Sequence, residues 1–521
     1  MCSPVDLLVV YADRRQLSFV EFHLLNQRAI FRRGGNHAAH LGQTLAATWF
    51  IESVAQSLCD SSQELPRRFK TEASKMDPPP NDGICAIFVH AGAGFHNLEN
   101  EHKHLGACDS ATTAAMAFLK AGGTAVDAVE VALTVLEDNP ITNAGYGSNL
   151  NHNGIVECDA SIVDHRGKSG AVGAVPNVKN PIALARKIYD KSNKDMGQSR
   201  VPPNFIIGEG ARDFAWENGI IVLPHDDMTH PAARLRWKSW KEEVNDHERV
   251  KGSQDADPWL RRPLTPMGTR LERLAKRESL AAADHEANEE YMSDLLVSNP
   301  GGHATVAKIA SSSSRDGSPD IETDTETERS TSDQEDVDMI SDTIGAIAID
   351  RWGNIAAGSS SGGIGMKHRG RVGPAALIGI GTHVVPVDPT DPDGTTVACV
   401  TSGTGELIAS AFVAYTLSQR IYFSQKKCEN GRFEQEVDQV VISEYFKNEF
   451  TNFPAVDDSF LFGSLGAMVV RKDNDGIELF FAHNTQSFAI GSMSSNQEKP
   501  VCVMSRGTRG SIMQGGARVR F

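Results

Sequence analysis

Thr343 follows an aspartate and opens the run TIGAIAID (343–350), and Ser361 lies in GNIAAGSSSGG (353–363). A threonine hydroxyl is a weak nucleophile unless a base removes its proton. If the peptide bond before Thr343 breaks, that base comes with the residue itself. A free α-amino group has an unperturbed pKa of about 7.7–8.0, so it can take up the proton of its own side chain. The branched Cβ restricts χ1 and so aims the hydroxyl. Ser361 is the natural second hydroxyl, to orient the first or to relay a proton. Taken alone, small hydroxyl residues in a hairpin are ordinary core residues, so the elements around them must be read as well.

TIGAIAID is almost continuously apolar, as a strand buried on both faces requires. Arg351-Trp352-Gly353 reads as a three-residue loop, with Asp350 facing Asn354 and Ile349 facing Ile355. The same register brings Thr343 opposite Ser361, where directly opposed residues have Cβ atoms about 4.5–5.5 Å apart. Three Gly-rich elements offer main-chain donors: HAGAG (90–94) after a strand, TNAGYG (142–147) in a loop, and Ser402-Gly403-Thr404-Gly405-Glu406 between a strand and a helix. The last suits an oxyanion site, because a helix N-terminus presents unpaired N–H groups. In isolation it reads equally as a Gly-rich cap. KHRGRVG carries Lys367, Arg369 and Arg371. Arginine binds carboxylates through two parallel hydrogen bonds, although by itself the segment reads as a solvated basic loop. Gly358-Ser359-Ser360-Ser361-Gly362 fits a serine elbow, but that motif needs a strand–turn–helix context. His96, His102 and His104 match no standard metal spacing and read as surface histidines. There is no Walker A loop and no dinucleotide fingerprint.

The 521 residues carry a formal net charge of −16, with 40% hydrophobic and 23% charged residues. This balance argues against nucleic acid as the main partner. The eight cysteines include no CxxC pair, which argues against a zinc site or a disulfide framework. No apolar run approaches the ~20 residues that span a bilayer, and no signal peptide is read at the start of the chain. The expectation is therefore a protein of the nucleus or cytoplasm, not secreted and with no membrane partner.

Residues 1–82 read as a poorly defined extension ending in a Pro-rich linker, with Met76 a candidate alternative start. Residues 83–310 form the first part of the main domain, with a charged insert at about 220–310 that holds basic clusters at 231–241 and 261–277. Within it, residues 109–136 read as two helices broken at Gly122-Gly123, and a further helix starts near Pro181. Residues 311–342 are acidic and Ser/Thr-rich, too poor in apolar surface to fold. Residues 343–521 alternate strands with one long helix, GELIASAFVAYTLSQRIYF. The plan is a layered α/β fold with mainly antiparallel strands.

Taken together, HAGAG (90–94), LEDNPITNAGYGSNLN (136–151), ECDASIVD (157–164), GAVGAV and VKNPI (170–182), DTIGAIAID (342–350), SSGGIGMKHRGRVG (360–373) and TSGTGE (401–406) resemble a known family. The chain is similar to threonine aspartases, the taspase branch of the type 2 asparaginase (isoaspartyl peptidase) group of N-terminal nucleophile hydrolases. The resemblance implies a four-layer αββα sandwich. It also implies an inactive precursor that cuts itself between Asp342 and Thr343 into α and β chains that stay associated, and possible pairing of two αβ units. By position, Thr343 is the nucleophile and Ser361 its hydroxyl partner. Arg371 binds the substrate carboxylate, Ser402 and Gly403 line the oxyanion site, and Gly92 lies near the nucleophile. The family's substrate loop aligns with Asn100 and His104, with Lys103 adjacent. No cofactor is implied beyond a structural Na⁺ at the 136–143 loop.

Two departures separate the branches. Ordinary asparaginases have Gly before the nucleophile, and here it is Asp342. They also have Asp directly after GRVG to hold the α-amino group of a free amino acid, and here it is Pro374. Proline cannot pair with an ammonium group. The expected substrate is thus an internal Asp of a polypeptide. A plant-type L-asparaginase / isoaspartyl peptidase, or an inactive scaffold that kept the fold, are the alternatives.

Overall fold

In the computed structural model, which describes residues 83–256 and 342–520, the run Ile344–Ile349 forms strand β5 with every side chain buried. It returns through a tight turn into Ile355–Ser361 (β6), also buried throughout. The strands pair from Ile349↔Ile355 to Ile344↔Ser360, the register expected from a three-residue loop. Asp350 shapes that turn: its Oδ1 accepts from the N–H groups of Trp352 and Asn354, each at 3.0 Å. Gly353 takes the positive φ (78°) the turn demands.

Around this hairpin lie Ala86–Gly94 (β1), Glu157–Asp164 (β2), Ser169–Pro176 (β3) and Phe205–Ile207 (β4), joined by Ser487–Ser494 (β13) and Val501–Arg506 (β14). Together they make an eight-stranded sheet of order β14-β13-β1-β5-β6-β2-β3-β4. A second, five-stranded sheet is built from Thr382–Val385 (β7), Thr396–Gly403 (β8), Leu465–Lys472 (β11), Gly476–His483 (β12) and Met513–Arg520 (β15), while Gln425–Lys427 (β9) and Phe433–Gln435 (β10) form a separate ribbon.

The period-2 alternation of the strands divides the core into three layers. Ile87, Val89, Ile162 and Ile344 point outward and pack with Leu119, Val129, Leu133 and Ile188 of three helices, Glu101–Lys120, Ala125–Asp138 and Pro181–Lys191. Phe88, Ile347 and Ile349 point the other way and meet Val400, Met468 and Leu479 of the second sheet. The outer face of that sheet, through Val397, Val469 and Phe480, is covered by Leu417, Ile421, Val441 and Ile442 of the helices Val413–Tyr422 and Asp438–Glu444. The fold is therefore an αββα sandwich.

The helix that ends before Gly122-Gly123 starts at Glu101, earlier than the sequence periodicity suggests, because His104, Ala107 and Cys108 already form its buried face. Its successor begins with a reciprocal cap between Thr124 and Asp127, and Pro181 takes the first helical turn of the next. The single helix expected after Gly405 is two, Gly405–Ser410 and Val413–Tyr422. Phe412 between them adopts a left-handed φ of 49°, and the following N–H groups of Ala414 and Tyr415 bond to Ile380 O and Gly379 O. Strands β14 and β15 were not legible as strands, because each lies at a sheet edge with most of its side chains partly or fully exposed.

The 231–241 basic cluster lies on the helix Pro231–Ala256. It is not wholly solvated: Arg236 is buried, bonding Asn149 Oδ1 at 3.2 Å, and Trp237 Nε1 donates to Asn151 O at 2.9 Å. The 1–82 extension, the 261–277 cluster and residues 311–341 of the acidic segment lie outside the described residues. The six described cysteines are free thiols. No helix among the described residues is long and apolar enough to cross a membrane.

Candidate active site around Thr343

Asp342 and Thr343 stand immediately before β5, both buried. The Thr343 N–H donates to Ser402 Oγ at 3.2 Å, and the Ala93 N–H donates to the same oxygen at 3.0 Å. Three segments far apart in sequence thus meet on one hydroxyl: the end of β1, the start of β5 and the end of β8. Gly403, which closes β8, has φ +138°, and a Cβ there would run into Ser464 O. The chain can turn from β8 into the helix Gly405–Ser410 only because that side chain is absent. Ser361, at the end of β6, accepts the Gly363 N–H at 2.9 Å, leaving its own proton to donate elsewhere. Thr343, Ser361, Gly363, Arg371, Pro374, Gly403 and Gly405 line one narrow cleft.

His90 also lies beside this site. Burial holds its ring far below the ordinary histidine range, at about 3, and the Thr343 main chain offsets only part of that. It is neutral at pH 7 and only weakly basic there.

Gly92 and Gly94 flank the Asp342 side chain. A Cβ on Gly92 would strike Asp342 Cβ, and one on Gly94 would strike Oδ1. The carboxylate reaches His96, whose Nε2 lies 3.2 Å from Asp342 Oδ2. His96 is 1% exposed and His104 is fully buried, so neither is a surface histidine. Their rings meet edge to face, 4.3 Å between centroids. His102 is exposed. His104 therefore sits one ring behind the site, and Lys103 is exposed and not among the residues that line the Thr343 cleft.

Arg371 is engaged by Glu406, with Nε and Nη2 at 2.9 and 2.8 Å from Oε1. The turn that carries it is pinned from below by Asp159, which accepts from Gly373 N and Ala174 N, each at 2.7 Å. Burial pushes the Asp159 carboxyl above its usual range, partly countered by Lys367. Lys367 is itself buried, its Nζ donating to Glu157 O at 2.6 Å. KHRGRVG is thus not a uniformly solvated loop; of Lys367, Arg369 and Arg371, Arg369, paired with Glu209, is the exposed one.

The three serines of GSSSG lie inside β6, so the serine-elbow geometry is absent. Ser359 meets the Thr382 hydroxyl. Ser360 donates to Glu137 Oε1 at 2.6 Å, and the Ile182 N–H donates to the same oxygen at 2.9 Å. Burial raises the Glu137 carboxyl to about 8 despite these bonds. Among the described residues, no group of three or more His, Cys, Asp or Glu side chains could hold a metal. Sequence reasoning missed His96, Asp159 and Glu137. The available signal was an ionisable residue set in a small-residue or apolar run; only the fold shows which of these turn inward.

Residues 84–269 and 291–439 match the family model described as asparaginase. The isoaspartyl peptidase/L-asparaginase of Mus musculus is 40% identical over 34% of this chain and 50% of its own length. Its counterpart from Homo sapiens is 38% identical over 33% and 51%. The plant-type L-asparaginase of Pyrococcus abyssi is 31% identical over 58% of this chain and 70% of its own length. The chain thus spans about half the length of the mammalian relatives it matches. With the family model covering more than half of the sequence and an αββα sandwich beneath it, the chain belongs to the type 2 asparaginase family, whose fold is that of the N-terminal nucleophile hydrolases.

Proposed function

We propose that the protein is a threonine endopeptidase that cleaves polypeptides after Asp and is activated by its own cleavage between Asp342 and Thr343. The observation that carries the reading is the anchoring of the Thr343 nitrogen on Ser402 Oγ, at the open end of a hairpin paired from Ile349↔Ile355 to Ile344↔Ser360. In self-cleavage, Thr343 Oγ adds to the Asp342 carbonyl carbon. The C–N bond breaks as the nitrogen takes up the hydroxyl proton, leaving an ester. Water then splits the ester into the Asp342 carboxylate, the Thr343 hydroxyl and a free α-amine. In trans the amine accepts the Thr343 proton and the hydroxyl, oriented by Ser361, attacks the main-chain carbonyl of the substrate Asp; the next residue's nitrogen leaves with that proton, and water then hydrolyses the ester to a free Asp carboxylate and the Thr343 hydroxyl. The oxyanion is held by the Gly403 and Gly92 segments together with Ser402. Arg371 binds the substrate carboxylate through its guanidinium fork. The two chains remain associated because β5 lies between β1 and β6 in one sheet, and paired αβ units, protein substrates and a nuclear or cytoplasmic location belong to the same proposal.

A structural Na⁺ at the 136–143 loop is a further part of it. The donors there are main-chain oxygens, which suit a hard cation. Leu136 O accepts from Thr142 Oγ1 at 2.7 Å and from Asn139 N at 3.1 Å, and Asn139 O from Thr142 Oγ1 at 3.1 Å and Thr142 N at 3.2 Å, so an ion there would take the place of one of these bonds.

The second reading, a plant-type asparaginase or isoaspartyl peptidase, is favoured by what the relatives are called. Against it stand Asp342 and Pro374, the latter lining the cleft where a substrate ammonium would need an anion. Intact mass of the wild-type chain beside Thr343→Ala tests self-processing: two fragments are expected for the first, one beginning at Thr343, and one chain for the second. Both uncut would leave an inactive scaffold. A peptide with an internal Asp-Gly bond, run against asparagine and β-aspartyl dipeptides, separates the two enzymes; preference for the small substrates would select the asparaginase.

A further inference from the structure

We propose that His96, backed by His104, is the residue that reads the Asp342 carboxylate in the uncut chain and so positions the bond that is broken. This rests on self-cleavage as proposed above and assigns the recognition of Asp342 to a residue other than Arg371.

Four observations converge on it. The Asp342 carboxylate and the His96 ring are both almost wholly buried, with Nε2 3.2 Å from Oδ2. Buried charges are tolerated when paired, and His96 is the ion-pair partner of this one. Second, the space for the Asp342 side chain is carved out of β1. Gly92 and Gly94 lack the Cβ atoms that would fill it, and Gly92 adopts φ +112°. Third, the His96 ring is fixed from its other edge. Nδ1 lies 2.7 Å from Ser487 Oγ, which also accepts the His96 N–H at 2.9 Å and donates to Gly94 O at 3.2 Å. With the Ser487 proton spent on Gly94, Nδ1 is the donor in that contact, and Nε2 is the ring atom that faces Asp342 Oδ2 at ion-pair distance. Fourth, Arg371 is already engaged by Glu406.

The consequence is geometric. Holding the side chain of Asp342 at its tip while Ser402 holds the nitrogen of Thr343 fixes the peptide unit between them from both sides. An oriented carbonyl is what an internal attack requires. His104 packs edge to face on the His96 ring and is a positioning residue.

The test uses the full chain. The rate at which the two fragments appear is measured by intact mass for wild type, His96→Gln, Asp342→Asn and the double variant. His96→Gln is expected to slow cleavage at least tenfold when residue 342 is Asp and by less than threefold when it is Asn. Equal slowing in both backgrounds means that His96 only supports the fold, and no slowing in either means that it does nothing; both overturn the assignment. A second measurement needs neither self-cleavage nor a His96 variant. In the uncuttable Thr343→Ala chain, with histidines labelled for NMR, Asp342→Asn should shift the His96 ring signals at one fixed pH, because the group 3.2 Å from Nε2 is changed. His104 and His483, which also face that ring, are present in both chains. Unmoved signals overturn the proposal. An uncut wild type with moved signals would remove the self-processing reading and the positioning role with it, while leaving the His96–Asp342 pair itself in place.

Discussion

The amide nitrogen of Thr343 donates to Ser402 Oγ at 3.2 Å, so the atom that would become an α-amino group in a cut chain has its partner in place beforehand. That partner comes from the second sheet, at the end of β8, while Thr343 belongs to the first. The contact is therefore formed only when the two sheets are packed together.

Ser402→Ala removes the acceptor of two buried N–H groups, those of Thr343 and Ala93. An unsatisfied buried donor costs about 1–3 kcal/mol. If about half of that falls on the transition state, self-cleavage slows by about two- to thirteenfold. A time course of fragment formation by intact mass checks this, and a variant cut at the wild-type rate would refute the anchoring role.

Arg371 is held by Glu406, which is half exposed and competes with any incoming carboxylate. Arg371→Ala should abolish cleavage of an internal-Asp peptide. Glu406→Gln, by freeing the fork, should lower KM severalfold with little change in kcat. Steady-state kinetics on one peptide reads both. Near-normal activity in Arg371→Ala would mean that the carboxylate pocket lies elsewhere.

Gly94→Ala places a methyl group against Asp342 Oδ1. Self-cleavage should slow more than tenfold while the precursor stays folded. In an Asp342→Gly chain the methyl group meets nothing there, so Gly94→Ala should add no further slowing. Equal effects in both chains, measured as fragment yield against time, would place the clash elsewhere.

Glu137 predicts a pH dependence of stability. Its carboxyl is raised to about 8 by burial in the folded chain, against about 4.3 when unfolded. The folded state therefore keeps a proton that the unfolded state has lost between those values. By linkage, the stabilisation is fully present below about pH 4.3 and declines as pH rises toward 8. Glu137→Gln, which does not titrate, should flatten that part of a plot of Tm against pH. An unchanged slope would mean that Glu137 ionises normally.

The hairpin, its register and the glycine-rich ends were legible because they are local: an unbroken apolar run, a loop of three residues and alternation of period 2 specify strand, turn and facing partner within 21 residues, 343–363. Helix starts such as Thr124 and Pro181 were legible for the same reason, since the groups that cap a first turn lie within it. Edge strands β14 and β15 were less so, because half-exposed strands carry little apolar pattern.

Residue types and short-range spacing alone thus determined that a buried strand starts directly after Thr343 and returns in a hairpin that ends at Ser361, and that an aspartate precedes the threonine. What only the tertiary structure decided is who touches Asp342. Histidines in a charged loop carry no signal of burial, and His96 turns inward because β13 offers Ser487 across the sheet while the helix Glu101–Lys120 brings His104 against its ring. Those partners are 391 and 8 residues away along the chain, and contacts at such different separations are set by the packing of layers, which no local pattern encodes.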